Sequence, residues 1–163
     1  METKFDWYVI SAKNKKTINK VKSLGIKCST NDCYSWNPNL AKWVTFKAPR
    51  DNSMVSKEIQ KMILNSIGTN GTKDIIFNCH GFTFTKVNKD YVYIRIINYL
   101  LNNGPTRKDD IIRDVLGVEN RPGYFSALFA SLRLAYLIEY DEKYKFWTIG
   151  PNAKKFLKRE GLI

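Results

Sequence analysis

Four side chains of the zinc-ligand type stand in this sequence: Cys28 and Cys33 as a Cys-x4-Cys pair, and the adjacent Cys79-His80. Thiolate and imidazole are the right donors for zinc. Their spacing suits it poorly. Neighbours on a strand point to opposite faces, so Cys79 and His80 would have to turn onto one ion. No Cys-x2-Cys accompanies them, and a free cysteine more often serves as a small buried hydrophobe. The chain has a single histidine, which excludes nuclease motifs that need two. Cys33 or Cys79 with His80 as base is a second reading, that of a small cysteine enzyme. Asp74 precedes an apolar run without a following Glu-x-Lys. The stretch Gly68-Thr69-Asn70-Gly71-Thr72-Lys73 has phosphate-loop residue types but leads into a strand pattern, whereas a phosphate loop must open a helix. No catalytic constellation is complete. The expectation is therefore a protein without enzymatic activity, metal or cofactor.

Charge is the more usable chemistry. Of 163 residues, 27 are Lys or Arg and 15 are Asp or Glu, a net charge of +12. Such a balance points to a polyanionic partner, nucleic acid before an anionic membrane. Residues 1–89 hold 15 basic and 6 acidic side chains, and residues 90–163 hold 12 and 9. Lys13, Lys15, Lys16, Lys20, Lys22 and Lys27 gather around one predicted helix, either as phosphate contacts or as a solvated face. No apolar run approaches the roughly 20 residues of a membrane span. The opening Met1-Glu2-Thr3-Lys4-Phe5-Asp6 does not read as a secretory signal. Three cysteines make an odd number for a disulfide framework, so reduced thiols in a cytoplasm are expected. Richness in Lys, Asn, Ile and Tyr suggests an AT-rich genome, such as that of a low-GC bacterium or a virus.

The elements that must position these residues are clearest after Asp90. Residues 91–101 carry Ile94, Ile97, Leu100 and Leu101 at helical spacing, and Asn102-Asn103-Gly104-Pro105 ends the run. Thr106 and Asp109 have the spacing of a capping box. The helix they open turns Ile111, Ile112, Val115 and Leu116 to one face, and Gly117 closes it. Pro122 suits the first turn of a third helix, with Phe125, Leu128, Phe129 and Leu132 buried. Residues 137–140 and 144–149 read as two strands about an Asp141-Glu142-Lys143 turn. Residues 153–160 read as a closing helix.

Helix, helix, tight turn, helix and hairpin is an order that resembles the winged helix-turn-helix superfamily. The likeness rests on Gly104-Pro105-Thr106 through Leu116-Gly117-Val118, on Ser131-Leu132-Arg133-Leu134-Ala135-Tyr136-Leu137-Ile138, and on Phe146-Trp147-Thr148-Ile149-Gly150. The resemblance implies a third helix in the DNA major groove and a wing on the backbone or minor groove. It makes Arg121, Tyr124, Ser126, Ser131 and Arg133 candidates on that helix, with Gly123 and Ala127 beside them. Lys143 and Lys145 become candidates on the wing, and Arg107 and Lys108 before the second helix. The alternative is a protein interface made by Ala127, Ala130 and Leu134.

Residues 1–89 read in the order β-α-β-β-α-β. Strands are expected at 5–11, around 26–34, at 42–47 and at 74–79, with helices at 16–24 and after Ser53. That order is similar to ferredoxin-like nucleic-acid modules, including the RNA recognition motif, in architecture alone. Lys42-Trp43-Val44-Thr45-Phe46 lacks the glycine of the RNA-binding signature. Tyr8 and Trp43 are either stacking platforms or, with Trp7 and Phe46, core.

The fold class expected is α+β: a ferredoxin-like β-α-β-β-α-β domain over 1–89, then a winged-helix domain over 90–163. The function expected is binding of double-stranded DNA in transcriptional, viral or mobile-element control. RNA or single-stranded DNA is a possible ligand in its place. The runner-up is a protein-interaction factor that modulates a host enzyme. The expected location is the cytoplasm, that of the host if the protein is viral, with no membrane partner.

Overall fold

The computed structural model describes residues 5–11, 15–30, 43–69, 71, 84–117 and 122–163. The chain divides into two compact units, Met1–Thr85 and Lys86–Ile163. The first unit runs β1 (Phe5–Ser11), α1 (Lys15–Ser23), β2 (Cys28–Thr30), β3 (Trp43–Pro49) and α2 (Met54–Ser66). Its sheet has the order β1-β3-β2, with β3 antiparallel to both neighbours: Phe5 faces Pro49, Ser11 faces Trp43 and Cys28 faces Phe46. Helix α1 buries Ile18 and Val21, and Gly25 follows it at φ 84°, a value that costs glycine little. Ser53 caps α2 as its residue type suggests: its hydroxyl accepts from the Ser56 amide at 3.2 Å. Ile59, Met62, Ile63 and Ile67 then go to the core.

The second unit runs α3 (Val92–Asn103), α4 (Lys108–Leu116), α5 (Pro122–Leu134), β4 (Ile138–Asp141), β5 (Phe146–Ile149) and α6 (Ala153–Arg159). Its core is the apolar stripe of α3 (Ile94, Ile96, Ile97, Leu100) closed by Ile111 of α4, by Phe125, Phe129 and Leu132 of α5, and by Phe156 and Leu157 of α6. Full burial of each such side chain is worth about 1.5–3 kcal/mol. Ile112 and Leu116, expected on the buried face of α4, are half-buried at its margin.

The end of α5 sets the path into the hairpin. Leu137 N–H donates to the Leu132 carbonyl and Tyr136 N–H to the Arg133 carbonyl, both at 3.0 Å. This is a Schellman closure with Tyr136 in the left-handed position at φ 59°. Tyrosine there costs about 1–2 kcal/mol relative to glycine, offset by burial of its ring to 2% exposure. Asn152 clamps the same turn: its backbone N–H donates to the Tyr136 carbonyl at 2.9 Å and its Nδ2 to the Ala135 carbonyl at 3.1 Å. Gly150 passes so close that a Cβ there would overlap the Tyr136 carbonyl.

The expected fold class is overturned. The protein is mostly helical: six helices lie among the described residues, and their residues outnumber those in strands by more than two to one. A completed ferredoxin-like β-α-β-β-α-β unit followed by a winged-helix domain is not its architecture. In the first unit the elements described end with α2, and the strand expected at 74–79 lies outside the described residues. In the second unit the sheet is the β4–β5 hairpin alone. Between α3 and α4 the chain makes a single bridge, Thr106 with Trp147, and no strand. The reason is local. Gly104 turns at φ 74° and Pro105 has no N–H to donate, so nothing longer than one residue can pair there. Four helices against one two-stranded hairpin is the result.

The expected capping box of α4 is also absent. Arg107 is the N-cap and makes no side-chain cap bond. Thr106 is committed elsewhere: its hydroxyl donates to the Gly104 carbonyl at 2.9 Å, and its backbone exchanges two bonds with Trp147.

Candidate nucleic-acid interface

The Thr106–Trp147 bridge has a consequence for charge. It stitches the β4–β5 hairpin to the residue just before α4, so the hairpin turn stands beside the start of that helix. An open hollow of about 470 Å3 lies between them, lined by Arg107, Lys108, Asp109, Lys143, Tyr144 and Lys145. Four cations face one carboxylate. Helix α4 adds the partial positive charge of its N-terminus, which Asp109 and Asp110 of its first turn partly offset.

Three of the four cations have a seat. The Arg107 guanidinium lies 5.8 Å from the Phe146 ring centroid. Lys108 Nζ donates to Ser126 Oγ at 2.9 Å and lies 5.5 Å from the Phe129 ring. Phe129 is held edge-on against Trp147, 5.1 Å between centroids, and Trp147 lies 4.8 Å from Tyr140. Lys143 Nζ lies 5.1 Å from the Tyr144 ring. Cation–π contacts of this kind are worth about 0.5–1 kcal/mol at exposed sites. They leave ammonium and guanidinium protons free for an anion.

The turn that carries the lysines is built around Asp141. Its Oδ1 accepts from the amides of Lys143 at 2.9 Å and Tyr144 at 3.2 Å, and its carbonyl accepts from Lys145 N–H at 2.7 Å. Lys145 takes a left-handed φ of 58°, where glycine or asparagine is the usual choice. The Asp141 bonds hold it there.

Arg107, Lys108, Ser126, Lys143 and Lys145 are thus brought together. The other candidates fare differently. Ser131 is fully buried and its hydroxyl donates to the Ala127 carbonyl at 2.9 Å, so it reaches no ligand. Arg133 and Tyr124 are half-buried, Tyr124 with its ring edge-on to Phe125 at 5.3 Å. Ser126 and Gly123 are exposed, and Arg121 lies outside the described residues. Leu134 is 8% exposed, which removes it from the apolar protein interface considered for this helix.

In the first unit, Lys15, Lys16, Lys20, Lys22 and Lys27 are exposed, and Lys20 approaches Glu58 at 3.8 Å. Lys13 lies outside the described residues, as do Cys33, Cys79 and His80. Cys28 falls on β2. Among the described residues no three His, Cys, Asp or Glu side chains gather as metal ligands. No helix among them is long and apolar enough to cross a membrane.

Tyr144, Asp141 and the aromatic seats Phe129 and Phe146 are the parts of this site that residue type alone did not reveal. The usable signal was Asp141 at the head of Asp-Glu-Lys-Tyr-Lys, since an aspartate there readily caps the two amides that follow.

No protein-family model matches this chain, and no curated protein or solved structure is significantly similar to it.

Proposed function

We propose that this protein binds double-stranded DNA, with the hollow between α4 and the β4–β5 turn as its phosphate contact. The observation that carries the proposal is the convergence of Arg107, Lys108, Lys143 and Lys145 on one open hollow. Fixed cations spaced around a concavity suit successive phosphates, because each neutralised phosphate releases condensed counterions. Asp110 is taken up by Arg113 at 3.0 Å, which leaves Asp109 as the one carboxylate of the hollow against four cations. The exposed residues at the start of α5, Gly123 and Ser126, adjoin the hollow through the Lys108–Ser126 bond and supply the nearest surface for reading bases. The lysines of α1 add a diffuse attraction. Sequence-selective binding of this kind would serve transcriptional, viral or mobile-element control.

The test is fluorescence anisotropy of the full chain with matched duplex DNA, single-stranded DNA and RNA over a salt series. The expected result is duplex preference, with a salt slope that falls when Lys143 and Lys145 are replaced by alanine. Equal slopes for wild type and variant would remove the hollow from the reading.

A further inference from the structure

Phosphate binding accounts for the four cations of the hollow, one of them seated on the Tyr144 ring, but gives no reason for a ring as exposed as this one. Tyr144 is 57% exposed, and it stands between Lys143 and Lys145 at the tip of the hairpin. Its backbone is fixed: the amide donates to Asp141 Oδ1, and the residue after it is locked at φ 58° by the Asp141 carbonyl. Tyr144 lines the hollow, with Lys143 Nζ 5.1 Å from its ring. A ring face offers nothing to a phosphate. It offers stacking to a base, worth about 5- to 160-fold in affinity. Within an intact duplex both faces of every base are covered by its neighbours. A ring on a phosphate-binding turn meets an open base only where the stack is interrupted.

We infer that the hollow and Tyr144 together recognise a break in duplex stacking. The four cations hold phosphates beside the break, and the Tyr144 ring stacks on the unpaired base. This rests on the DNA-binding reading above and narrows its ligand to duplex DNA carrying an unpaired nucleotide.

The experiment compares the full chain on two probes: a closed dumbbell duplex without ends, and the same dumbbell carrying one unpaired 2-aminopurine. The expected result is about tenfold tighter binding to the second, with quenching of the 2-aminopurine emission as it stacks. Tyr144→Ala should lose both the preference and the quenching, and any weakening through Lys143, which its ring seats, should fall on both probes alike. Tyr144→Phe should retain both. Equal binding of the two probes by the wild type, or a Tyr144→Ala variant that keeps the wild-type preference and quenching, overturns the inference and leaves duplex binding standing. Binding to neither probe at low salt overturns the DNA-binding reading, and the inference with it.

Discussion

The two basic regions of this molecule carry similar charge and hold it differently. On α1, Lys15, Lys16, Lys20 and Lys22 are spread along the exposed side of one helix, and Lys20 is partly occupied by Glu58. In the second unit, Arg107, Lys108, Lys143 and Lys145 come from two elements far apart in sequence and converge on one hollow. Free lysines lose about 2 kcal/mol of rotamer freedom when a ligand orders them. Cations already seated on Phe146, Phe129 and Tyr144 have spent part of that cost in folding. What the comparison teaches is that equal net charge predicts equal attraction at a distance but unequal grip on contact.

The largest expected effect comes from loosening the scaffold under one region and leaving the other alone. Tyr136 is buried in the turn that feeds the hairpin. Tyr136→Ala should destabilise the second unit by about 3–5 kcal/mol, the usual loss for a buried aromatic. Urea unfolding followed by circular dichroism reads it. Duplex affinity should fall with the unfolded fraction. A loss below about 1 kcal/mol would mean that the turn does not hold the hairpin.

Next in size is removal of charge from the hollow itself. Lys143→Ala with Lys145→Ala should lower the slope of log affinity against log salt by about 2, as for two phosphate contacts. The same double change on α1, Lys15→Ala with Lys16→Ala, should lower it by less than 1 and weaken all sequences alike. Equal reductions would abolish the distinction between converging and diffuse charge.

Much of the scaffold was legible in the sequence, because burial repeats with the helical period. Ile94, Ile97 and Leu100 announce α3, Pro122 starts α5, and Ser53 caps α2. Ser131 reads as a groove residue by its polarity, but its spacing puts it in the core. It stands three residues after Leu128 and one before Leu132, on the buried stripe of α5, where a back-bond to Ala127 satisfies its hydroxyl. Thr106 departs from its expected role for a different reason. Its capping role is a local preference, and a long-range pairing with Trp147 displaced it. The hollow shares that cause. Arg107, Lys108, Lys143 and Lys145 were each legible as basic candidates, but their convergence depends on a bridge between residues 41 apart in the sequence. The fold class failed on the same ground, since element order does not reveal whether a Gly-Pro link will pair as a strand.

The smallest expected effect sharpens the comparison with a third kind of cation. Arg113 lies on α4 itself, yet it is bonded to Asp110 at 3.0 Å and to Asp114 at 3.1 Å. The Tyr99 hydroxyl donates to Asp114 at 2.6 Å and, with Arg113, holds that carboxyl below its ordinary value. A depressed carboxylate contributes its stabilisation above the ordinary Asp range and loses it as pH falls through the lowered value. At neutral pH Asp114 is therefore ionised, and Arg113 is committed to it and to Asp110. If charge alone drew DNA to this helix, Arg113→Ala should weaken binding as Lys108→Ala does. If seated, uncommitted charge is what binds, Arg113→Ala should leave duplex affinity within about twofold, less than 0.5 kcal/mol on the usual scale of surface changes. The Asp114 carboxyl should meanwhile move up toward its ordinary value, readable by NMR titration. A loss of affinity as large as that of Lys108→Ala would show that proximity to the hollow, and not freedom from a partner, decides which cations act.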